Sequence, residues 1–117
     1  MRDLENRLRR LSIHDAESID AVLTQGVLPS TACGLDPHAA GLVRLGILIA
    51  LDGPGPAFDW VTATALADGA TAEELVGVLE TAGPLVGSAH VVASAPRLAR
   101  ALGYDIDAAL ERIDAES

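Results

Sequence analysis

Residues 65–75, ALADGATAEEL, decide the fold because they end one helix and begin the next within a few positions. Gly69 follows an Ala/Leu-rich run and is predicted to stop a helix over about 57–68, since glycine readily ends helices. Thr71 and Glu74 have the spacing of a capping box, in which each side chain binds the other residue's backbone N–H. This stretch therefore predicts two successive helices, the second with its buried face starting at Leu75.

The segment before this stretch predicts a helix from Asp36 to about Asp52. Asp36 is a typical N-cap and Pro37 a typical first helical residue, while Gly53 marks the exit. Apolar residues cover nearly the whole circumference, which predicts a central helix that is buried all round. Arg44 is its one charged interior residue.

The segment after it predicts further helices. Pro84 is expected to break or kink the second helix, because proline lacks an N–H and clashes with the preceding turn. A helix over about 85–102 should end at Gly103, and a short last helix should occupy 105–115. At the other end, Ser12 and Asp15 form an imperfect capping box, which predicts a helix that starts there and stops at Gly26.

No segment shows sustained alternation of apolar and polar residues, so the predicted class is all-α. The 117 residues fit one compact helical domain of about six helices, with N-terminal helices in 1–26 and a C-terminal helix in 105–115.

Charge and hydropathy exclude two classes of partner. The formal net charge is −9, which disfavours nucleic acid. The arginines among the first ten residues alternate with Asp3 and Glu5, which predicts a salt-bridged helix face. The longest uncharged stretch, 81–96, has 16 residues, whereas a membrane-spanning helix needs about 20. No signal peptide is apparent, so a cytoplasmic protein is expected.

The apolar content predicts self-association. Half of the residues are hydrophobic, yet only Phe58, Trp60 and Tyr104 are aromatic. A domain of this size has much surface for its volume, so part of that apolar content is expected at contacts between subunits.

Several of these motifs together resemble the carboxymuconolactone decarboxylase and alkylhydroperoxidase D superfamily. The similar parts are residues 35–37 with the helix that follows, the 65–75 stretch as a signature, and Val78-Leu79 through Pro84 to Gly87. The resemblance covers roughly 35–102. It implies a helical domain that assembles into trimers, or into hexamers made from trimers.

The positions that carry the family's chemistry are altered in this chain. By position, the peroxidase branch's Cys-x-x-Cys and its following His fall at Pro54, Ala57 and Val61. The chain's single cysteine, Cys33, cannot form such a pair, so no thiol peroxidase is expected. The decarboxylase branch's His falls at Thr81. The three histidines, at 14, 38 and 90, do not have metal-ligand spacing, so neither a metal nor another cofactor is expected.

Glu80 and His90 are the candidate catalytic residues. Glu80 lies beside the family's His position and could act as a general base if partly buried, or it could simply face solvent. His90 could carry protons, or could make an interhelix hydrogen bond. The small residues between Gly83 and Ser94 predict a packing seam, where two helices approach closely, and a ligand site is the alternative.

Arg44, Thr81 and Trp60 are the candidate substrate-binding residues. On a buried helix Arg44 should pair with a carboxylate, with Asp59 and Glu80 as the expected partners, or it should anchor an anionic substrate. Two hypotheses follow. One is a lyase or isomerase acting on a small carboxylate or lactone in a subunit-interface pocket. The alternative is a non-catalytic binding or assembly module that keeps the fold.

Overall fold

The computed structural model of the chain describes residues 2–24 and 34–105. They belong to two compact units, Met1–Gly34 and Leu35–Ser117. All the regular elements of the described residues are helices, which confirms the all-α class. The predicted stop at Gly26, Cys33 and nearly all of the predicted 105–115 helix lie outside the described residues.

The first unit contains α1 (Arg2–Ser12) and α2 (Ala16–Thr24). Arg7 lies 3.7 Å from Asp3 one turn away, which confirms the predicted salt-bridged face. The predicted helix start at Ser12 is wrong. The helical hydrogen bonding of α1 continues past that position, since Ile13 N–H donates to the Arg9 carbonyl at 3.0 Å. Ser12 is therefore the last residue of α1, and α2 starts four residues later.

The second unit contains α3 (Pro37–Ala50), α4 (Gly55–Ala67), α5 (Ala72–Val86) and α6 (Ser88–Ala101). Two predicted caps are confirmed. The Ala39 N–H donates to the Asp36 carboxylate at 2.7 Å, and Thr71 and Glu74 make both hydrogen bonds of the capping box. These bonds satisfy backbone N–H groups that a helix start would otherwise leave free.

The four helices pack around one core, with α3 and α6 each in contact with both α4 and α5. Gly41 lets α3 approach α4 closely, because a Cβ at that position would lie 3.1 Å from the Ala65 Cβ. The fully buried large side chains of this core come from all four helices and include Leu45, Ile49, Phe58, Leu75 and Leu98.

The prediction that α3 is buried all round is wrong for the described residues. Gly41, Leu45 and Ile49 are buried on the inner face, but Val43, Ile47 and Leu51 are 49%, 50% and 75% exposed. Four packed helices cover only the inner side of each helix, so the outer side of α3 remains open.

Of the two predicted effects of Pro84, the break is wrong, since α5 continues to Val86, and the kink stays a prediction. Pro84 lies within the last turn, where its missing N–H costs only the bond to the Glu80 carbonyl. Because Pro84 is exposed, water can bind that carbonyl instead. The chain breaks at Gly87, whose φ of +91° suits glycine and separates α5 from α6.

Candidate functional site

The two predicted catalytic residues lie on neighbouring helices. Glu80 is exposed on α5 and His90 is half-buried on α6, which packs against α5. Neither side chain makes a hydrogen bond or an ion pair with another described residue. A general acid–base pair needs its groups within reach of one reacting atom, and this role of Glu80 and His90 stays a prediction.

The predicted substrate-binding residues lie on three different helices. Arg44 is half-buried on α3, Trp60 is 50% exposed on α4, and Thr81 is exposed on α5. The helix of Arg44 is in contact with both of the others, α4 with Trp60 and α5 with Thr81. The structure thus places the three candidates on neighbouring helices.

The expected ion pair of Arg44 with Asp59 or Glu80 does not form within the described chain. Both carboxylates are on outward, exposed positions of their helices, and neither lies within 4.0 Å of a cationic group of the described residues. The Arg44 side chain makes no hydrogen bond to any described residue either. The half-buried guanidinium of Arg44 therefore has no acidic partner among the described residues.

Arg44 borders a continuous apolar surface, which we call the α3 stripe: Val43, Ile47 and Leu51. Val43 and Ile47 are four residues apart and lie on one face of α3, and Leu51, four residues further on, is the C-cap residue of the helix. Arg44 and Ile47 are three residues apart and therefore adjacent on that face. The α3 stripe is an exposed apolar surface of the kind that marks contact sites on proteins.

An apolar groove of about 540 Å³ lies between α5 and α6. Leu79 and Leu98 form its buried floor, and Val76, Leu102 and Tyr104 line its sides. Exposed aliphatic and aromatic walls around a concave surface are typical of binding sites for apolar groups.

His38 and Glu74 form a contact that the sequence analysis did not anticipate. The His38 Nε2 lies 2.9 Å from a Glu74 carboxylate oxygen, which ties the start of α3 to the start of α5. The other oxygen accepts the Thr71 N–H at 2.9 Å. This backbone hydrogen bond, followed by the nearby His38, lowers the pKa of Glu74 despite some desolvation. Glu74 was recognisable as a capping residue, but its second partner lies 36 positions away.

Arg97 makes the second unanticipated contact. Its guanidinium donates to Asp52 at 2.7 Å and to the Gly53 carbonyl at 3.0 Å, so it fastens α6 to the turn between α3 and α4. The expected packing seam is present in part: a Cβ at Gly83 would lie 3.4 Å from Val91, and Ser94 is fully buried. The Arg97 contacts and the close approach of Gly83 to Val91 hold the helices together.

Within the described residues there is no cluster of three or more histidine, cysteine or acidic side chains that could hold a metal ion. No helix among them is long and apolar enough to cross a membrane.

No family model, curated protein or solved structure matches the chain. The resemblance to the carboxymuconolactone decarboxylase superfamily therefore stays a prediction from the sequence motifs.

Proposed function

We propose that this chain is a self-associating helical module that acts through its surfaces, with the fold of the carboxymuconolactone decarboxylase superfamily but without its peroxidase chemistry. The observation that carries the proposal is the α3 stripe, three aliphatic side chains that are 49% to 75% exposed. Covering them removes apolar area from water, which is the main favourable term in most protein association.

The charge pattern around the stripe supports the same proposal. The chain carries 17 acidic and 8 basic residues, yet α3 contains Arg44 as its only formally charged residue. Interface cores are depleted in charged residues in this way.

Sedimentation velocity over a range of protein concentrations tests self-association. The proposal predicts a species with a mass that is a multiple of 12.0 kDa, a trimer or hexamer if the family resemblance holds. A folded 12.0 kDa monomer at micromolar concentration would contradict it.

A second candidate function is a lyase or isomerase that binds a small carboxylate or lactone at a subunit interface. The observation in its favour is the half-buried Arg44, which has no acidic partner among the described residues. An unpaired guanidinium can bind a carboxylate with two parallel hydrogen bonds. Glu80 and His90 would supply the proton transfers if association brought them to that anion.

Calorimetric titration with a small dicarboxylate such as succinate separates the two functions. The enzyme candidate predicts binding that Arg44→Met abolishes while the melting temperature stays nearly the same. The assembly proposal predicts that Arg44→Met changes the association state instead and that the wild-type chain shows no succinate binding.

A further inference from the structure

Arg44 differs from the arginines at positions 7 and 97 because its side chain has no partner among the described residues. Arg7 pairs with Asp3, and Arg97 pairs with Asp52 and the Gly53 carbonyl. Arg44 is half-buried beside the α3 stripe and makes no ion pair with the described residues. If the stripe becomes an interface, the guanidinium is desolvated further and needs a carboxylate from the molecule that covers it.

The α5–α6 groove has the shape and chemistry to receive the α3 stripe. It is concave and lined by aliphatic side chains, with Val76 41% exposed at its side and Leu79 and Leu98 as its floor. The stripe is a convex row of aliphatic side chains on a helix. A helix that lays its apolar face into a hydrophobic groove is a common mode of recognition.

The charges beside the groove complement Arg44. Glu73 and Glu80 lie three residues before and four residues after Val76, so all three share one exposed face of α5. Neither carboxylate makes an ion pair with a described cationic group. Glu73 lies in the first turn of α5, where the helix N-terminus already stabilises its carboxylate. Glu80 lies in the middle of α5, so it is the carboxylate that gains more from a cationic partner.

The stripe and the groove are different surfaces of the unit. Val78 faces α3, because a Cβ at Gly46 would lie 3.7 Å from its side chain. Val76, two residues earlier, faces α6 and lines the groove. A second copy can therefore occupy the groove while its own groove stays open to a third, which is a head-to-tail arrangement.

We infer that the α3 stripe of one copy packs into the α5–α6 groove of a second copy, with Arg44 paired to Glu80 across the interface. This inference rests on the proposed self-association and specifies its surfaces. It also gives Arg44 and Glu80 a shared role, as an ion pair between subunits.

Charge reversal tests the ion pair. Arg44→Glu and Glu80→Arg each place like charges together, so each should weaken association by about tenfold or more in sedimentation equilibrium. The double variant Arg44→Glu/Glu80→Arg restores opposite charges and should recover most of the wild-type association. Asp59→Arg, on an exposed position of α4, is the matched control and should associate like the wild type. Circular dichroism should show all four variants folded, because Arg44, Glu80 and Asp59 make no ion pair within the described chain.

Disulfide crosslinking tests the two surfaces independently of charge. In a Cys33→Ser background, one chain carries Ile47→Cys and a second carries Val76→Cys. Mixed and treated with diamide, they should give a crosslinked heterodimer in preference to either homodimer. Predominant homodimers of the Ile47→Cys chain would show that two stripes pack on each other and would overturn the inference.

The outcomes separate this inference from the proposed function. A monomeric wild type would contradict both the inferred interface and the proposed self-association. If the wild type associates and neither single charge reversal weakens that association, the Arg44–Glu80 pairing is overturned and self-association stands. The same holds if Asp59→Arg weakens association and Glu80→Arg does not.

Discussion

At the scale of single residues, two buried hydroxyls stand out. The side-chain oxygens of Thr62 and Ser94 are fully buried, and neither has a hydrogen-bond partner among the described residues. A buried hydroxyl that loses its water without gaining a partner reduces stability. The two residues therefore mark the polar positions of the core where an apolar side chain should fit better.

Thr62→Val should raise the free energy of unfolding by about 1 kcal/mol, because valine keeps the shape and removes the unsatisfied hydroxyl. Thr64→Val is the control, since the Thr64 hydroxyl donates to the Trp60 carbonyl at 2.9 Å and its loss should bring no gain. Urea denaturation of both variants measures the difference. A Thr62→Val protein less stable than wild type would mean that this hydroxyl is hydrogen-bonded in solution.

Glu74 should make stability depend on pH. Its pKa is lowered in the folded chain, chiefly by the hydrogen bond from the Thr71 N–H and then by His38. A lowered pKa means that the carboxylate stabilises the fold above its ordinary pKa of about 4.5 and that this contribution is lost as the pH falls below it.

Glu74→Gln should therefore cost stability at pH ~7 and cost progressively less as the pH is lowered through the ordinary pKa of Glu74. Glu73→Gln, in the same helical turn but without the Thr71 and His38 contacts, should cost less at neutral pH. Urea midpoints at several pH values provide the comparison. A Glu74→Gln penalty that grows towards acid pH would contradict the assignment.

At the scale of helices, two glycines should respond in opposite ways to a larger side chain. Gly41 lies against Ala65 where α3 meets α4, whereas a Cβ at Gly77 of α5 would meet nothing within 4 Å. Gly41→Leu should lower stability by about 1–3 kcal/mol through overpacking. Gly77→Ala should raise it by about 1 kcal/mol, because alanine favours the helix. Thermal denaturation of the two variants checks both signs, and a stabilised Gly41→Leu would show that α3 and α4 are farther apart.

The capped helix starts at Asp36 and Thr71 are the part of the fold that the sequence predicts correctly. Asp36 and Thr71 satisfy backbone N–H groups within three residues of themselves, and such local bonding leaves a recognisable pattern. The contacts between helices were not predictable in the same way. His38 with Glu74 and Arg97 with Asp52 are 36 and 45 positions apart, and local spacing does not reveal which helices become neighbours.

The exposure of α3 was missed for a related reason. Aliphatic residues that face a core and aliphatic residues that face a second molecule give the same pattern along a helix. Only the packed arrangement distinguishes Leu45, which is fully buried, from Ile47, which is half exposed. Position along the chain likewise nominates Glu80 and His90, and the fold joins their side chains by no hydrogen bond or ion pair among the described residues.

At the scale of the whole molecule, the proposed association of copies of the chain takes place through α3. Ile47 is the centre of the α3 stripe, so Ile47→Glu would place a carboxylate in the middle of the interface. Burying an unpaired charge is costly, whereas the same side chain on the free surface of a monomer is not. The substitution should therefore dissociate the assembly without unfolding the chain. Val92, 72% exposed on α6, offers a matched control for adding the same charge elsewhere.

The most direct test is the sedimentation coefficient of Ile47→Glu beside those of the wild type and Val92→Glu at one concentration. The account predicts that wild type and Val92→Glu sediment as the same oligomer and that Ile47→Glu sediments as a folded monomer of about 12.0 kDa. An Ile47→Glu protein that sediments with the wild-type oligomer would contradict the claim that α3 is the contact surface.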